Sequence, residues 1–324
     1  MSWPHRASDW LEILQEAEAI YCEIIRNIVP RQTVILTTPD PERTRQVLSA
    51  ASINTSRVAI FQIPSNDTWA RDFAPLCVFE NGKPLLLDFI FNGWGNKFPA
   101  TLDNAISNTL HNLGAFGSTP LFKQELVLEG GSVESDGNGT LLTTSDCLLE
   151  KNRNPHIPQE QLDSLLRDTF GVDQVLWLNA GHLSGDDTDS HIDTLARFAP
   201  NRTIIYQGCD NPDDEHYLPL QKMAEQLTQF RNSKGQPYQL HALPLPLPIL
   251  AEEGYRLPAS YANFLIINQA VLVPTYNDPA DRLALKIVAD VFPGREVIGI
   301  DCCALIKQHG SLHCVTMQIP KGVL

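Results

Sequence analysis

In the run Ser190-His191-Ile192-Asp193-Thr194-Leu195-Ala196-Arg197-Phe198 an imidazole and a carboxylate stand two residues apart. On an extended strand that spacing turns both side chains to one face, so His191 and Asp193 are expected to open into the same cavity. An isolated His-x-Asp is more often a hydrogen-bonded pair at a strand edge. Here Asp186, Asp187 and Asp189 crowd the same stretch, and carboxylates packed around one histidine repel one another unless a cation is held among them.

Two kinds of cation would satisfy that crowd. A metal ion takes Asp and His as ligands, which makes a metal-dependent hydrolase one reading. The cysteines do not extend such a site: Cys302-Cys303 and His313-Cys314 are adjacent pairs, whereas zinc sites use spaced ones. A guanidinium offers a planar fork of N–H donors that matches two carboxylates. Its delocalised carbon yields only to a strong, closely held nucleophile, and a thiolate fits that need. Among the seven cysteines, Cys77 and Cys147 lie in apolar runs and read as core. Cys314 follows Gly310-Ser311 and His313 on the approach to a short strand ending at Pro320, which makes it the favoured nucleophile.

These residues need a scaffold. Asp9 to Ile28 has apolar residues at helical spacing, with Asp9 and Glu12 placed as a capping box. Short β-rich runs follow at Val34–Thr37, Val58–Phe61 and Leu85–Phe89, alternating with helix-like stretches at Glu42–Ser52 and Leu102–Leu113. Gly130 to Leu142 and Asn263 to Pro274 read as hairpins, which points to mixed sheets. The Pro-Leu alternation at 243–248 reads as a packed extended segment. Five segments place polar residues at strand edges. Their markers Asp72, Glu129, His191, Asn263 and Cys314 are separated by 57, 62, 72 and 51 residues, a loose repeat of about sixty. Loops such as Gly208 to Glu215 and the Pro-rich run at 243–248 are short and flanked by structured runs, so one domain is expected.

Bulk properties narrow the function class. The chain has 324 residues, 43% of them hydrophobic and 19% charged, enough material for a large core. Acids outnumber bases 38 to 24, a formal charge of -14. That balance argues against nucleic acid as a partner and weakly favours a small cationic one. An odd set of seven cysteines without repeated spacing reads as reduced thiols in a cytoplasm. No signal peptide or membrane span is expected.

Taken in order, Trp69-Ala70-Arg71-Asp72, Phe91-Asn92-Gly93-Trp94-Gly95, Glu129-Gly130-Gly131, Asp187-Thr188-Asp189-Ser190-His191-Ile192-Asp193 and His313-Cys314-Val315-Thr316 resemble the agmatine deiminase and bacterial peptidylarginine deiminase family over nearly the whole chain. The resemblance implies the α/β pentein fold, a five-bladed pseudosymmetric propeller around a central active site. It implies Cys314 as nucleophile, His191 as general acid and base, Asp72 and Asp193 as carboxylates gripping the guanidinium, and Glu129 as a further active-site acid. Trp69 and Trp94 would wall the substrate channel and Asp187 would lie near the substrate's far end. No cofactor or metal is implied. Agmatine is the favoured substrate and N-carbamoylputrescine its product. Peptidyl or free arginine is the alternative, with Arg153 and Arg256 open as partners for an arginine carboxylate. A non-catalytic guanidinium binder is the alternative from another class. The sequence allows a homo-oligomer without requiring one.

The chain departs from the family pattern at three places. Gln308-His309-Gly310 stands where three glycines are usual, Ser190 replaces a glycine and Met317 a glutamine. The opening Ser2-Trp3-Pro4-His5 matches a point inside the family's first segment, so an initial strand is expected to be missing and one blade incomplete.

Overall fold

The computed structural model describes residues 1–323. Among the described residues fourteen strands form five small sheets. The first pairs β1 (Val34–Thr38) with β2 (Val58–Gln62) in parallel. The second is β3 (Leu76–Glu80), β4 (Lys83–Ile90) and β5 (Leu121–Val127); the third is β6 (Val133–Ser135), β7 (Thr140–Thr144) and β8 (Gln174–Leu178). The fourth is β9 (Ala196–Ala199), β10 (Thr203–Gln207) and β11 (Gln239–Leu243), and the fifth β12 (Leu265–Ile267), β13 (Ala270–Thr275) and β14 (Glu296–Asp301).

Each three-stranded sheet repeats one logic. Its first two strands are antiparallel neighbours, and its third returns parallel to the second. A parallel return needs a long crossover. Helices Ile106–Asn112, Gln159–Phe170, Tyr217–Gln229 and Asp281–Val291 supply it in the four sheets, and Pro41–Ala50 does the same between β1 and β2. The middle strands of the third and fifth sheets are covered on both faces. All five residues of β7 and the first five of β13 are buried, which explains their continuous β-branched and aliphatic character. The mixed α/β architecture with five units is therefore the one implied by the sequence resemblance. The first sheet differs: it has two strands and a one-residue parallel bridge from Ser2 to Thr37.

Three local expectations are corrected. The opening helix does not start on an Asp9–Glu12 capping box; a 3-10 turn at Leu11–Ile13 precedes an α-helix at Leu14–Ile28, and no side chain caps either start. Trp10 is fully buried and donates to Asp67 instead, so tertiary contact overrides the local signal. Residues 315–323 form turns and irregular chain rather than a strand. His191 and Asp193 do not share a strand face: His191 precedes a single 3-10 turn, Ile192–Thr194, and β9 begins only at Ala196. Of the Pro-Leu segment, Leu243 and Leu245 pack into the core while Leu247 stays 64% exposed. Among the described residues no helix is long and apolar enough to cross a membrane.

The apolar core continues across the sheets. One cluster joins the first helix, β1, β4 and the fifth sheet. Two smaller ones lie beneath the crossover helices Gln159–Phe170 and Tyr217–Gln229. The positioning consequence is topological. Asp72, Gly131, His191 and Asn263 all sit in connections just ahead of the first strand of a sheet, and Cys314 lies beyond the last strand. The similar sheets thus turn equivalent connections toward one place.

Candidate active site

A cavity of about 50 Å³ opens where those connections meet, lined among others by Trp69, Asp72, Trp94, Asp187, His191, Asp193 and Cys314. Seven of the eight residues singled out from sequence therefore converge. The eighth, Glu129, is fully buried but does not line the cavity: both of its carboxylate oxygens accept from Arg153 Nε at 2.9 Å.

Asp72 is held from two sides. One oxygen accepts the Gly131 N–H at 2.9 Å, the other the Trp94 indole N–H at 2.9 Å, and His191 Nδ1 lies 3.7 Å from the first. Trp94 achieves this from a left-handed backbone, φ +54°, inside the run Gly93–Asn96. Bulky side chains rarely adopt that conformation, and such strain is retained where it aims a functional group. The neighbouring Gly131 has no room for a side chain: a Cβ there would lie 2.5 Å from His191 Nδ1 and 2.8 Å from Asp72 Oδ1. Gly131→Ala is accordingly expected to displace both groups and lower turnover about 100-fold, measured as kcat/KM alongside a thermal melt; an unchanged rate would show that their present separation is unimportant.

Asp193 has one oxygen on His313 Nδ1 at 2.7 Å, while its Oδ1 is buried without a partner. Burial pushes its carboxyl up to about 7, against the pull of Arg197 and Arg71. Burial and the charge of Asp193 also push Asp72 well above the usual carboxylate range. His191 Nε2 is likewise buried and unpartnered, and burial, with Arg153 and Lys97 nearby, holds its imidazole neutral. The Cys314 thiol is pushed well up by burial and by Asp193 and Asp72, and it reaches Asn263 Oδ1 at 3.5 Å. Without a cation the cavity thus holds a neutral thiol, a neutral imidazole and two carboxylates with raised proton affinity. A bound cation reverses the balance for all of the anions together.

The acid crowding around His191 has an internal explanation as well. Asp189 pairs with Lys97 and Arg153, each at 2.7 Å, and Asp186 accepts from the Thr188 hydroxyl at 2.6 Å and the Ser190 N–H at 2.7 Å. Protein cations and N–H groups therefore satisfy these two carboxylates. Asp187 remains on the cavity wall, its carboxyl pushed up to about 6 by burial and Asp186. Glu129, Cys147 and His191 offer ligand atoms within 4.8 Å of one another. The Arg153 guanidinium already occupies the cation position beside Glu129, so this set fits a metal ion poorly.

Two of the departures from the family pattern share a backbone feature. Ser190 and His309 both have left-handed backbone, φ +66° and +65°, the region glycine enters without cost. Ser190 is held there by its N–H bond to Asp186, and His309 by a bond from Nδ1 to the Gly185 carbonyl at 2.7 Å and by stacking on Tyr255. Met317 Sδ accepts from Arg71 at 3.2 Å. Sequence reasoning missed Asp67, which lines the cavity and accepts indole N–H bonds from Trp10 and Trp69 at 2.7 and 3.0 Å. Its place two residues before the Trp-Ala-Arg-Asp run was the available signal. It missed also the pairing of Glu129 with Arg153, which no spacing announces.

Residues 1–320 match the family model of Porphyromonas-type peptidyl-arginine deiminase. A solved structure provisionally named a peptidyl-arginine deiminase is 47% identical, with TM-score 0.95 over 99% of this chain and 95% of its own. C. jejuni agmatine deiminase, solved as a cysteine-to-serine variant with substrate bound, is 41% identical with TM-score 0.90, over 97% of this chain and 90% of its own. A protein of Legionella pneumophila provisionally named an agmatine deiminase is 32% identical over 99% of this chain and 91% of its own. The converging loops, the buried acids around a thiol and these whole-length likenesses lead to one conclusion: the chain belongs to the Porphyromonas-type peptidyl-arginine deiminase family, pentein-fold hydrolases that act on guanidino groups.

Proposed function

We propose that this protein hydrolyses agmatine to N-carbamoylputrescine and ammonia, as a single catalytic domain spanning residues 1–324. The observation that carries the choice of substrate is the charge of the cavity wall. It includes Asp9, Asp67, Asp72, Asp186, Asp187 and Asp193, and no Lys or Arg. Free arginine would bring a carboxylate into that field. The two arginines open for that role are committed elsewhere: Arg153 to Glu129, Asp189 and the Thr188 carbonyl, Arg256 to Asp214 at 2.9 Å. Agmatine carries a cation at each end, and Asp187, on the cavity wall, is the proposed partner for its amine.

In the proposed reaction the guanidinium enters between Asp72 and Asp193, and its charge lowers the proton affinity of Cys314. The thiol proton passes to His191 as sulfur adds to the guanidinium carbon. His191 then protonates a departing nitrogen, the C–N bond breaks, and a covalent thiouronium and ammonia result. Neutral His191 next removes a proton from water as its oxygen adds to the same carbon. The C–S bond breaks to release the ureido product, whose surplus proton leaves with ammonia, and His191 returns a proton to the thiolate. Trp69 and Trp94 wall the cavity. Glu129 is paired with Arg153 near His191 and off the cavity wall, so it is assigned no contact with substrate. No step calls on a cofactor or metal. All seven cysteines are unpaired, which supports a reducing cytoplasm as the setting.

The test is to measure ureido product and ammonia from agmatine, free arginine and a blocked arginine peptide. Agmatine is expected to exceed arginine by at least about 100-fold in kcat/KM, since an unpaired carboxylate in this site finds no donor. Chelator is expected to leave the rate unchanged and a thiol alkylator to abolish it. Comparable turnover of the peptide would overturn the substrate assignment.

A further inference from the structure

The carboxylate of Asp193 ends a largely buried chain of side chains, none of which except Asp193 lines the cavity. Glu134 accepts from Arg197 Nε at 2.9 Å; Arg197 donates from its terminal nitrogen to His313 Nε2 at 3.1 Å; His313 Nδ1 meets Asp193 Oδ2 at 2.7 Å. A guanidinium only donates hydrogen bonds, so Arg197 obliges His313 Nε2 to accept. The proton of the neutral imidazole must then sit on Nδ1 and point at Asp193. Arg197 is itself fixed by the carbonyls of Ala262 and Phe264, at 3.2 and 2.8 Å, and lies over the Phe264 ring at 4.7 Å. Asp193 Oδ2 is thereby engaged by His313, and Oδ1 is the oxygen left with no protein partner for a ligand to meet.

We infer that His313 is a positioning residue: its Arg197-fixed Nδ1 proton orients Asp193 and reserves one carboxylate oxygen for the guanidinium. Adjacency of His313 to Cys314 then has a physical purpose, because one short turn places the sulfur and also orients the carboxylate across from it. The inference rests on the proposed role of Asp193 in gripping substrate.

The alternative is that His313 only fills space in the core. Asparagine and glutamine separate the two. An asparagine amide reaches about as far as Nδ1 and can still donate to Asp193, whereas a glutamine amide extends toward the position of Nε2 and Arg197. Losing a hydrogen bond to an ionised group is expected to cost about 10- to 100-fold. We therefore expect His313→Gln to lower kcat/KM with agmatine by about that factor and His313→Asn to recover most of it. The acid limb of kcat/KM should move to higher pH in His313→Gln, because the lost donor had favoured the ionised carboxylate. The charged groups facing Asp193 that would otherwise set this limb are Arg71, Arg197, Glu134, Asp72 and Asp186, all unchanged in both variants. Thermal melts of the two proteins report folding. Equal activities and equal acid limbs in the two variants would overturn the inference, as would a glutamine variant more active than the asparagine one. If neither variant folds, the wild-type proton on His313, read by nitrogen NMR, decides: protonation at Nε2 in place of Nδ1 overturns it. Failure of the underlying reading is visible separately, as an Asp193→Asn enzyme that keeps wild-type activity.

Discussion

Cys314→Ala is expected to lower kcat on agmatine by at least about 10⁴-fold, leaving fold and substrate affinity nearly intact. The thiol lines the cavity together with Asp72, Asp193 and His191, and the proposed path has no second nucleophile to put in its place. Water could attack the guanidinium directly only without the covalent step that divides the barrier. Cys314→Ser is expected to fare little better, since an alkoxide is far harder to form than a thiolate beside two carboxylates. The measurement is single-turnover ammonia release, with mass spectrometry of the quenched wild-type protein for an adduct on the peptide containing Cys314. A variant retaining a tenth of the wild-type rate would remove Cys314 from the mechanism. Burial and the two carboxylates hold the resting sulfur as thiol, so alkylation of the empty enzyme at neutral pH is expected to be slow.

The second large effect concerns charge on the cavity lining. Asp193→Asn is expected to reduce kcat/KM about 1,000-fold, because it removes a buried counter-charge from the guanidinium and turns an amide donor toward a cation that can only donate. The pH dependence carries a sign that can be checked. The carboxyl of Asp193 is pushed up to about 7, so below that pH it is increasingly protonated and cannot pair with the substrate. Wild-type kcat/KM is therefore expected to fall as pH drops through about 7 and to level off above it. With Asp72 also raised and facing the same cavity, the limb belongs to the pair of acids. In Asp193→Asn the limb should move to lower pH, since Asp72 loses a repelling neighbour. An unaltered limb would assign it to another group, His191 being the first to test.

Much of the site was legible because its residues occur in short, chemically specific runs. Trp69 to Asp72, Gly93-Trp94-Gly95, Glu129 to Gly131 and His313-Cys314 each combine residue types that packing alone does not call for together. The strands were legible where their apolar runs are continuous, as in β7 and β13, and the hairpins where turn residues interrupt them. Local helix and strand signals failed beside the site. The capping signal at Asp9 lost to the burial of Trp10, and the period-two reading of His191 and Asp193 lost to a single 3-10 turn. Short segments have little intrinsic preference, so tertiary partners choose their conformation.

By itself the sequence determined the inventory: a thiol, an imidazole, a surplus of carboxylates, two tryptophans, and a roughly sixty-residue recurrence that fits a ring of similar α/β units. Only the tertiary structure decided how those groups are paired. It gave Arg153 to Glu129 and Asp189, His313 to Asp193, and the Trp94 N–H to Asp72, and it left Asp193 Oδ1 and His191 Nε2 without partners. The physical reason is range. Composition and spacing act along the chain, whereas proton affinity and hydrogen-bond supply depend on neighbours 22 to 120 residues away, which become neighbours only when the sheets turn their connecting loops to one cavity.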